Sequence, residues 1–170
     1  ASDPSGPGPL MSTALQRAPA KVRTRVGEEK LQNSPTAGTL AVDLGSTTTV
    51  VAFAAAGERS TTLLNLEPIS VRAGEVPSLL WQTDGLPLIG REVLEAGLAD
   101  QDDPRLAIDF KRQIGSHSDD GERAALAGTQ LLKGIWAHLP NNIAVDRLVL
   151  TAPVETYRSY RRWLLQACAS

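Results

Sequence analysis

Two apolar runs separated by a polar turn stand in the first third of the chain. Residues 40–53 have the sequence L-A-V-D-L-G-S-T-T-T-V-V-A-F, in which apolar side chains flank Asp43, Gly45 and a row of hydroxyl residues. Two β-prone runs around a tight polar turn are typical of a β-hairpin. Residues 60–66 are also β-prone, so we expect a three-stranded antiparallel meander over residues 40–66.

Shorter elements are predicted in the middle of the chain. Residues 76–82 have the composition of a strand, and Pro77 must lie at its start or on a sheet edge because proline cannot donate a backbone hydrogen bond. Residues 86–89 are expected to return as a second strand after an Asp-Gly turn. A short helix is predicted over residues 91–99.

The last third of the chain predicts a helix, a strand and a helix. Residues 122–139 have apolar side chains at helical spacing, and Pro140 ends the pattern. Residues 147–152 are expected to form a buried strand, and residues 156–169 a final helix. The predicted apolar faces are Ala125, Gly128, Leu132, Ile135 and Leu139, widened by Leu131 and Trp136, in the first helix, and Tyr157, Tyr160, Leu164 and Ala167 in the second. Arg158, Arg161 and Arg162 are expected on a solvated face.

The start of the chain differs in composition from the rest. Residues 1–10 are rich in Pro, Gly and Ser and are interpreted as a cloning remnant, with Met11 as the native first residue. Residues 1–38 are predicted to be a polar arm that contributes little to a core. Residues 39–170 are predicted to be the folded domain.

Composition and charge argue against several classes of function. The chain has 17 Lys and Arg against 19 Asp and Glu, which offers no electrostatic basis for binding nucleic acid. It has no apolar run long enough to span a membrane, and residues 1–35 lack the apolar core of a signal peptide, so we do not expect secretion. Cys168 is the only cysteine, so we expect no internal disulfide and a cytoplasmic location. Its thiol is expected to be a small buried apolar group, and with His117 and His138 it forms no zinc-binding pattern.

The turn of the first hairpin has the chemistry of a phosphate-binding loop. Gly45 is expected to adopt a positive φ and to let a ligand approach the backbone closely. The amides of residues 45–48 can then converge on phosphate oxygens. Asp43 can reach Mg²⁺ or its waters, because Mg²⁺ is usually held by few carboxylates together with phosphates. On spacing alone, an ordinary hairpin with a Ser/Thr turn is an equal alternative.

Residues 41–53 resemble the first phosphate-binding hairpin of the superfamily that contains actin, sugar kinases and heat-shock ATPases. Four further matches, in the right order, resemble one branch, the seventy-kilodalton heat-shock (DnaK-type) chaperones. They are E-V-P-S-L-L-W at 75–81 (the T-P-S strand), L-I-G at 88–90 (the V-G-x-x-A step), F-K-R-Q-I-G at 110–115 (K-R-L-I-G), and residues 148–162 (I-T-V-P-A-Y-F and its helix). Within the last match, Glu155 and Thr156 replace Y-F, and the segment after Ile114 is short for the family.

This resemblance implies an α/β fold of the actin-like ATPase (ribonuclease H-like) type, of which residues 39–170 would form a partial nucleotide-binding domain. The expected content is the N-terminal half of lobe I with a trimmed small lobe. The implied cofactors are ATP or ADP and Mg²⁺. The implied site residues are Gly45, Ser46, Thr47 and Thr48 for the phosphates, Asp43 for Mg²⁺ through water and for catalysis, Lys111 beside the γ-phosphate and the attacking water, and Arg112, Pro153 and Arg161 for coupling to a substrate domain.

The resemblance also implies a function for a complete protein. Such a protein would hydrolyse ATP to drive binding and release of unfolded client proteins, with co-chaperones as further partners. Because the family's N-E-P-T segment, second phosphate loop and adenosine motif are not in this sequence, we expect the fragment alone to be inactive, or to obtain the missing half from another chain. The alternatives are a non-enzymatic interaction module of the same fold, an actin-like filament protein or a sugar kinase. The last two do not explain residues 110–115.

Overall fold

The predicted hairpin forms the centre of the main sheet. A computed structural model describes residues 34–152 and 157–169 of the chain. Strands β1 (Thr36–Asp43) and β2 (Thr48–Ala55) pair antiparallel, with Leu40 opposite Phe53 and Val42 opposite Val51. Opposite residues of a sheet share a face, and these four apolar side chains are all buried. The alternation of apolar residues therefore determines which face of the hairpin meets the core.

The meander is confirmed, and two further strands complete the main sheet. Strand β3 (Thr62–Leu63) pairs antiparallel with β2 but is shorter than the predicted run 60–66. The two further strands are β4 (Glu75–Pro77), which pairs with β2, and β8 (Ile143–Leu150), which pairs with β1 and gives the strand order β3-β2-β1-β8. Strand β8 is parallel to β1, whereas the other pairs are antiparallel. The remaining elements are β5 (Leu80–Trp81), β6 (Leu88–Ile89), α1 (Arg91–Glu95), β7 (Leu106–Ala107), a 3-10 helix (Phe110–Arg112), α2 (Asp119–Ala137) and α3 (Tyr157–Ala169).

The single strand predicted over residues 76–82 is wrong, because the chain divides it between two sheets. Strand β4 belongs to the main sheet, while β5 lies at the centre of a small sheet in the order β6-β5-β7. The break falls at Ser78, whose backbone and side chain both bind the turn of the first hairpin. Helix α1 is also shorter than predicted, since Gly97 adopts a left-handed φ of 67° two residues after it ends.

Helix α2 begins three residues earlier than predicted, because Ser118 caps it. The Ser118 hydroxyl accepts a hydrogen bond from the Gly121 amide at 3.2 Å, and acidic residues occupy the first turn. The predicted apolar face is only partly correct, since Trp136 is 53% exposed. Gly128, Leu131 and Ile135 are buried as predicted, and Gly121, Ala124 and Ala127 are buried as well. Small side chains along this face let the helix pack closely on its neighbours.

Helix α3 packs on α2 through Trp163. Tyr160, Trp163 and Leu164 are buried, whereas Tyr157, predicted on the same face, is exposed. Trp163 donates its indole N–H to the Ala125 carbonyl at 2.9 Å. The predicted solvated face is confirmed, because Arg158, Arg161 and Arg162 are all exposed.

Three further expectations need correction. The segment predicted as a buried strand, which forms β8, has Leu148 and Val149 37% and 46% exposed, because β8 pairs only with β1 within the described part of the chain. Cys168 is exposed rather than buried. Strand β1 begins at Thr36, so the predicted boundary at residue 38 falls inside a strand. The rest of the predicted arm, residues 1–33, lies outside the described residues.

The described chain is therefore mixed α/β, with two sheets and three α-helices. The core lies where the main sheet, α2 and α3 meet, and it includes Leu40, Val51, Leu131 and Tyr160. Among the described helices, none has the length and apolar character needed to cross a membrane. The finer expectation of an actin-like ATPase fold stays a prediction.

The contact between α2 and α3 can be tested at Gly128. A Cβ added there would lie 2.6 Å from the Trp163 ring and 3.0 Å from Ile114. Gly128→Ala should therefore lower stability, although alanine favours a helix by about 1 kcal/mol. Overpacking costs about 1–3 kcal/mol, which exceeds the gain in helix propensity. The free energy of unfolding should therefore fall by about 1 kcal/mol, and Tm by about 3–5 °C.

The matched control is Gly134→Ala in the same helix. The atom that its Cβ would overlap is the terminal methyl of Ile89, which can rotate away. We expect an unchanged or raised Tm in a thermal melt followed by circular dichroism. Equal effects of the two substitutions would show that Trp163 does not constrain residue 128.

Candidate functional site

The carboxyl ends of the parallel strands β1 and β8 lie side by side, and Asp43 and Thr151 are located there. The Thr151 amide donates to the Val42 carbonyl at 3.3 Å, and the Thr151 hydroxyl donates to Asp43 Oδ1 at 2.5 Å. Asp43 is exposed to solvent. In open α/β sheets, ligands usually bind outside the carboxyl ends of the strands. Asp43 is therefore an oriented and accessible carboxylate at a favourable edge of the sheet.

The loop between β1 and β2 begins with a buried anchor, Leu44. The expectation that Gly45 has a positive φ is wrong, since the described residues with positive φ do not include it. Glycine is required there for space, because an added Cβ would overlap the carbonyl oxygen of Thr48. The tight approach of Gly45 to Thr48 closes the turn. Ser46 is half-buried, and Thr47 is exposed at the tip.

Ser78, a buried residue, binds this loop from the side that faces the core. Its amide donates to the Thr47 carbonyl at 2.8 Å, and its hydroxyl donates to the Gly45 carbonyl at 2.8 Å. The same hydroxyl lies 2.9 Å from Thr49 Oγ1, and both side chains are buried. Ser78 was not among the predicted site residues, although it stands in the V-P-S motif. These contacts to one buried residue restrain the loop.

The position of Ser78 also determines where the loop amides point. In a trans peptide, the N–H points opposite to the preceding C=O. Because the carbonyls of Gly45 and Thr47 face Ser78, the amides of Ser46 and Thr48 point away from it. Among the hydrogen bonds of the described residues, none is donated by the amides of Gly45, Ser46 or Thr47. The loop therefore offers backbone donors on the side away from the core, as an anion-binding loop requires.

Lys111 lies half-buried on the 3-10 helix, between the buried side chains Phe110 and Ile114. Gly115, with φ of 89°, contacts α3 so closely that an added Cβ would lie 2.5 Å from Ser159 Oγ. The segment 110–115 is thus packed against the first turns of α3. The contacts of the described residues include none between Lys111 and Asp43.

Tyr160 is a residue that sequence reasoning assigned only to an apolar face. It is fully buried, its ring packs edge-on against Trp163 with centroids 5.1 Å apart, and its hydroxyl has no hydrogen-bond partner among the described residues. Burial raises the pKa of the phenol, and the negative charge of Asp43 adds to this effect. A buried hydroxyl without a partner costs about 1–3 kcal/mol. In the sequence, only the residue type at position 160 points to this feature, because phenylalanine would be enough for an apolar helix face and tyrosine adds a hydroxyl.

The residues predicted to couple nucleotide and substrate domains stay untested. Arg112 is exposed and forms an ion pair with Asp109 at 3.4 Å, and Arg161 is exposed on α3. Pro153 lies outside the described residues. Among the described residues, no group of three or more His, Cys, Asp or Glu side chains is arranged to hold a metal ion. A lone carboxylate such as Asp43 suits a cation that keeps most of its waters, as Mg²⁺ does.

An open apolar groove lies between the β1–β8 part of the sheet and the last turns of α2 and α3. Its volume is about 470 Å³. Its floor is Leu40, Val42, Leu148 and Leu150, and Trp136 and Cys168 stand among the lining residues. The groove is separate from the loop at 44–47, none of whose residues lines it.

The clamp at Ser78 predicts a specific loss of stability. Ser78→Ala removes the donor to Gly45 and the partner of Thr49, so the free energy of unfolding should fall by about 1–3 kcal/mol. Thr49→Val added to Ser78→Ala should cost little more, because it removes the hydroxyl left without a partner. Urea denaturation measures both changes. Ser60→Ala is the control, since its hydroxyl bonds only an exposed glutamate; a wild-type midpoint for Ser78→Ala would contradict the role of the clamp.

Comparison of the chain with models of known protein families gives no match, and comparison with curated proteins gives none either.

Proposed function

We propose that the chain is the N-terminal part of the nucleotide-binding domain of an actin-like ATPase of the DnaK chaperone type. The observation that carries this proposal is the loop at 44–47, whose amides point away from Ser78 beside the exposed carboxylate of Asp43. A phosphate-binding hairpin needs both features, since anions bind backbone N–H groups and Mg²⁺ binds carboxylates with phosphates. The order of the motifs along the chain supports the chaperone branch.

Each residue of the site has a distinct role in this proposal. The amides of Ser46 and Thr48, with the neighbouring hydroxyls of the loop, bind phosphate oxygens. Asp43, oriented by Thr151, holds a hydrated Mg²⁺, which neutralises phosphate charge when bound. Lys111 contributes a positive charge near the γ-phosphate and the attacking water. Phosphoryl transfer depends mainly on such positioning and charge compensation.

The described residues contain one phosphate-binding loop of this kind, so we expect weak binding of nucleotide by this chain. A ligand held on one side loses orientation, which is worth several kcal/mol of a reaction barrier. We propose that hydrolysis needs an opposing phosphate loop and an adenosine pocket, supplied by a complete protein or by another chain. In that setting, ATP hydrolysis would drive binding and release of client proteins, assisted by co-chaperones.

A non-enzymatic interaction module of the same fold is the second candidate. The apolar groove and the exposed side chains of Leu148 and Val149 favour it, because exposed apolar surface often marks an interaction site. A module of this kind need not bind nucleotide. Titration with Mg-ATP therefore distinguishes the two candidates.

Mg-ATP should bind this chain with a Kd near the millimolar range, equivalent to about 4 kcal/mol. In a nuclear magnetic resonance titration, the amide shifts should concentrate at residues 43–48. Asp43→Asn should weaken binding, whereas Asp146→Asn, an exposed carboxylate within β8, should not. Absence of any shift at saturating Mg-ATP would favour the interaction module. Micromolar affinity would show that a second copy completes the site.

In a complete parent protein, Asp43→Asn and Lys111→Ala should each slow ATP hydrolysis by about 10² to 10³. Each removes an electrostatic contact worth about 3–4 kcal/mol in the transition state. Single-turnover hydrolysis of radiolabelled ATP measures the chemical step directly. Lys133→Ala, an exposed lysine on α2, is the control and should match wild type. Wild-type rates for Lys111→Ala would remove Lys111 from the proposed mechanism.

A further inference from the structure

Strand β8 is an edge strand within the described part of the chain, since it pairs only with β1. An exposed edge presents unpaired backbone N–H and C=O groups, which can pair with another strand. Leu148 and Val149 of this strand are largely exposed, so apolar side chains accompany the free edge. Leu148 and Leu150 also form part of the floor of the apolar groove. Both the backbone and the side chains of β8 therefore suit a further strand.

The sequence of β8 complements a reversed copy of itself. Residues 143–150 read I-A-V-D-R-L-V-L, so three apolar residues stand on each side of one acid and one base. In an antiparallel pair of two such strands, centred between residues 146 and 147, Asp146 lies opposite Arg147 of the second copy. The other pairs are all apolar: Ile143 opposite Leu150, Ala144 opposite Val149, and Val145 opposite Leu148.

One extra residue in β8 allows this pairing within a single sheet. Opposite residues of an antiparallel pair point to the same face, but in a regular strand Val145 and Leu148, three positions apart, would point to opposite faces. The register of β8 on β1 skips Asp146, so Val145 is aligned with Gly38 and Leu148 with Leu40. Because Gly38 and Leu40 are two positions apart in β1, Val145 and Leu148 share a face. A two-fold axis perpendicular to the sheet keeps each residue on that face in both copies, as the pairing requires.

We propose that the free edge of β8 is the interface of a homodimer. The β8 strands of two copies of the chain pair antiparallel around a two-fold axis between residues 146 and 147, and the two main sheets join into one. An interface with two-fold symmetry uses the same surface of both copies, so that surface must complement itself. The sequence of β8 meets this condition. The inference goes beyond the proposed function and does not depend on it.

Charge complementarity favours a second copy over an arbitrary strand. Asp146 and Arg147 are both exposed, and a strand with apolar residues at its centre would leave both charges without a partner. A copy of β8 supplies the opposite charge at both positions, and symmetry makes the pair occur twice. A shift of the register by one residue would place Asp146 opposite Asp146 or Arg147 opposite Arg147, and like charges directly opposite each other are destabilising. The charges therefore determine both the partner and the register.

The antiparallel arrangement keeps the two candidate sites apart. Asp43 lies beside the carboxyl end of β8, where it accepts the hydrogen bond from Thr151. Because the two β8 strands run in opposite directions, the two Asp43 residues lie at opposite ends of the strand pair. The dimer brings no second phosphate loop to either site. Titration with Mg-ATP and measurement of the dimer thus test separate proposals.

Sedimentation equilibrium of the full chain, without nucleotide or metal, tests the proposal. The apparent mass of wild type should rise with concentration from 18.1 kDa toward twice that value, with a Kd on the order of micromolar. Asp146→Arg and Arg147→Asp should each weaken the dimer about tenfold or more, because each places like charges opposite each other twice. Both residues are exposed, so the circular dichroism spectrum of the monomer should not change.

The two single variants also provide a rescue experiment. An equimolar mixture of Asp146→Arg and Arg147→Asp chains should form heterodimers with wild-type affinity, since one strand then carries two positive charges and the other two negative charges. Combining both substitutions in one chain should restore the homodimer, because it exchanges the two charges and keeps both pairs. Arg59→Asp, an exposed charge reversal outside β8, is the control and should leave the Kd unchanged.

Three results would overturn the inference. A wild-type chain that stays monomeric even at millimolar concentration would show that a second copy does not occupy the edge. A dimer that resists both single reversals would use another surface. Reversals that dissociate the dimer without rescue, either by the mixture or by the doubly substituted chain, would show that β8 does not pair in the proposed register.

Discussion

The buried hydroxyl of Ser78 is the contact on which the site and the junction of the two sheets depend. It lies between β4 of the main sheet and β5 of the small sheet, and it bonds both the Gly45 carbonyl and Thr49. Because its amide also binds Thr47, the loop cannot shift without breaking contacts in the interior. Loops bind ligands well when a rigid scaffold holds them. The direction of the loop amides is thus a consequence of a residue more than thirty positions away.

Close packing of small residues performs a similar task around the segment that carries Lys111. Gly128 lets Trp163 and Ile114 approach α2, and Gly115 lets the chain pass against Ser159. Larger residues at either glycine would separate α3 from the segment that carries Lys111. Interiors packed at this density transmit small changes in volume, so substitutions there can affect the site without touching it.

The surfaces of the described domain differ in what they leave exposed. The edge with Asp43 and the loop offers a carboxylate and backbone donors, which suit a hydrated cation and phosphates. The face along β8 offers apolar side chains such as Leu148 and Val149 instead. A mid-strand pair of opposite charges, Asp146 and Arg147, is also exposed there, and charges on an edge strand discourage uncontrolled pairing.

The sequence by itself determined the first hairpin, the meander, the two long helices and the position of Asp43 at the end of a strand. These follow from local patterns, since apolar periodicity and turn residues act over a few positions. Tertiary structure decided the rest. The break at Ser78, the exposure of β8 and Cys168, and the missing partner of Tyr160 all depend on which surfaces meet. Asp43 meets Thr151 across more than a hundred residues, and no local pattern encodes the path of the chain between them.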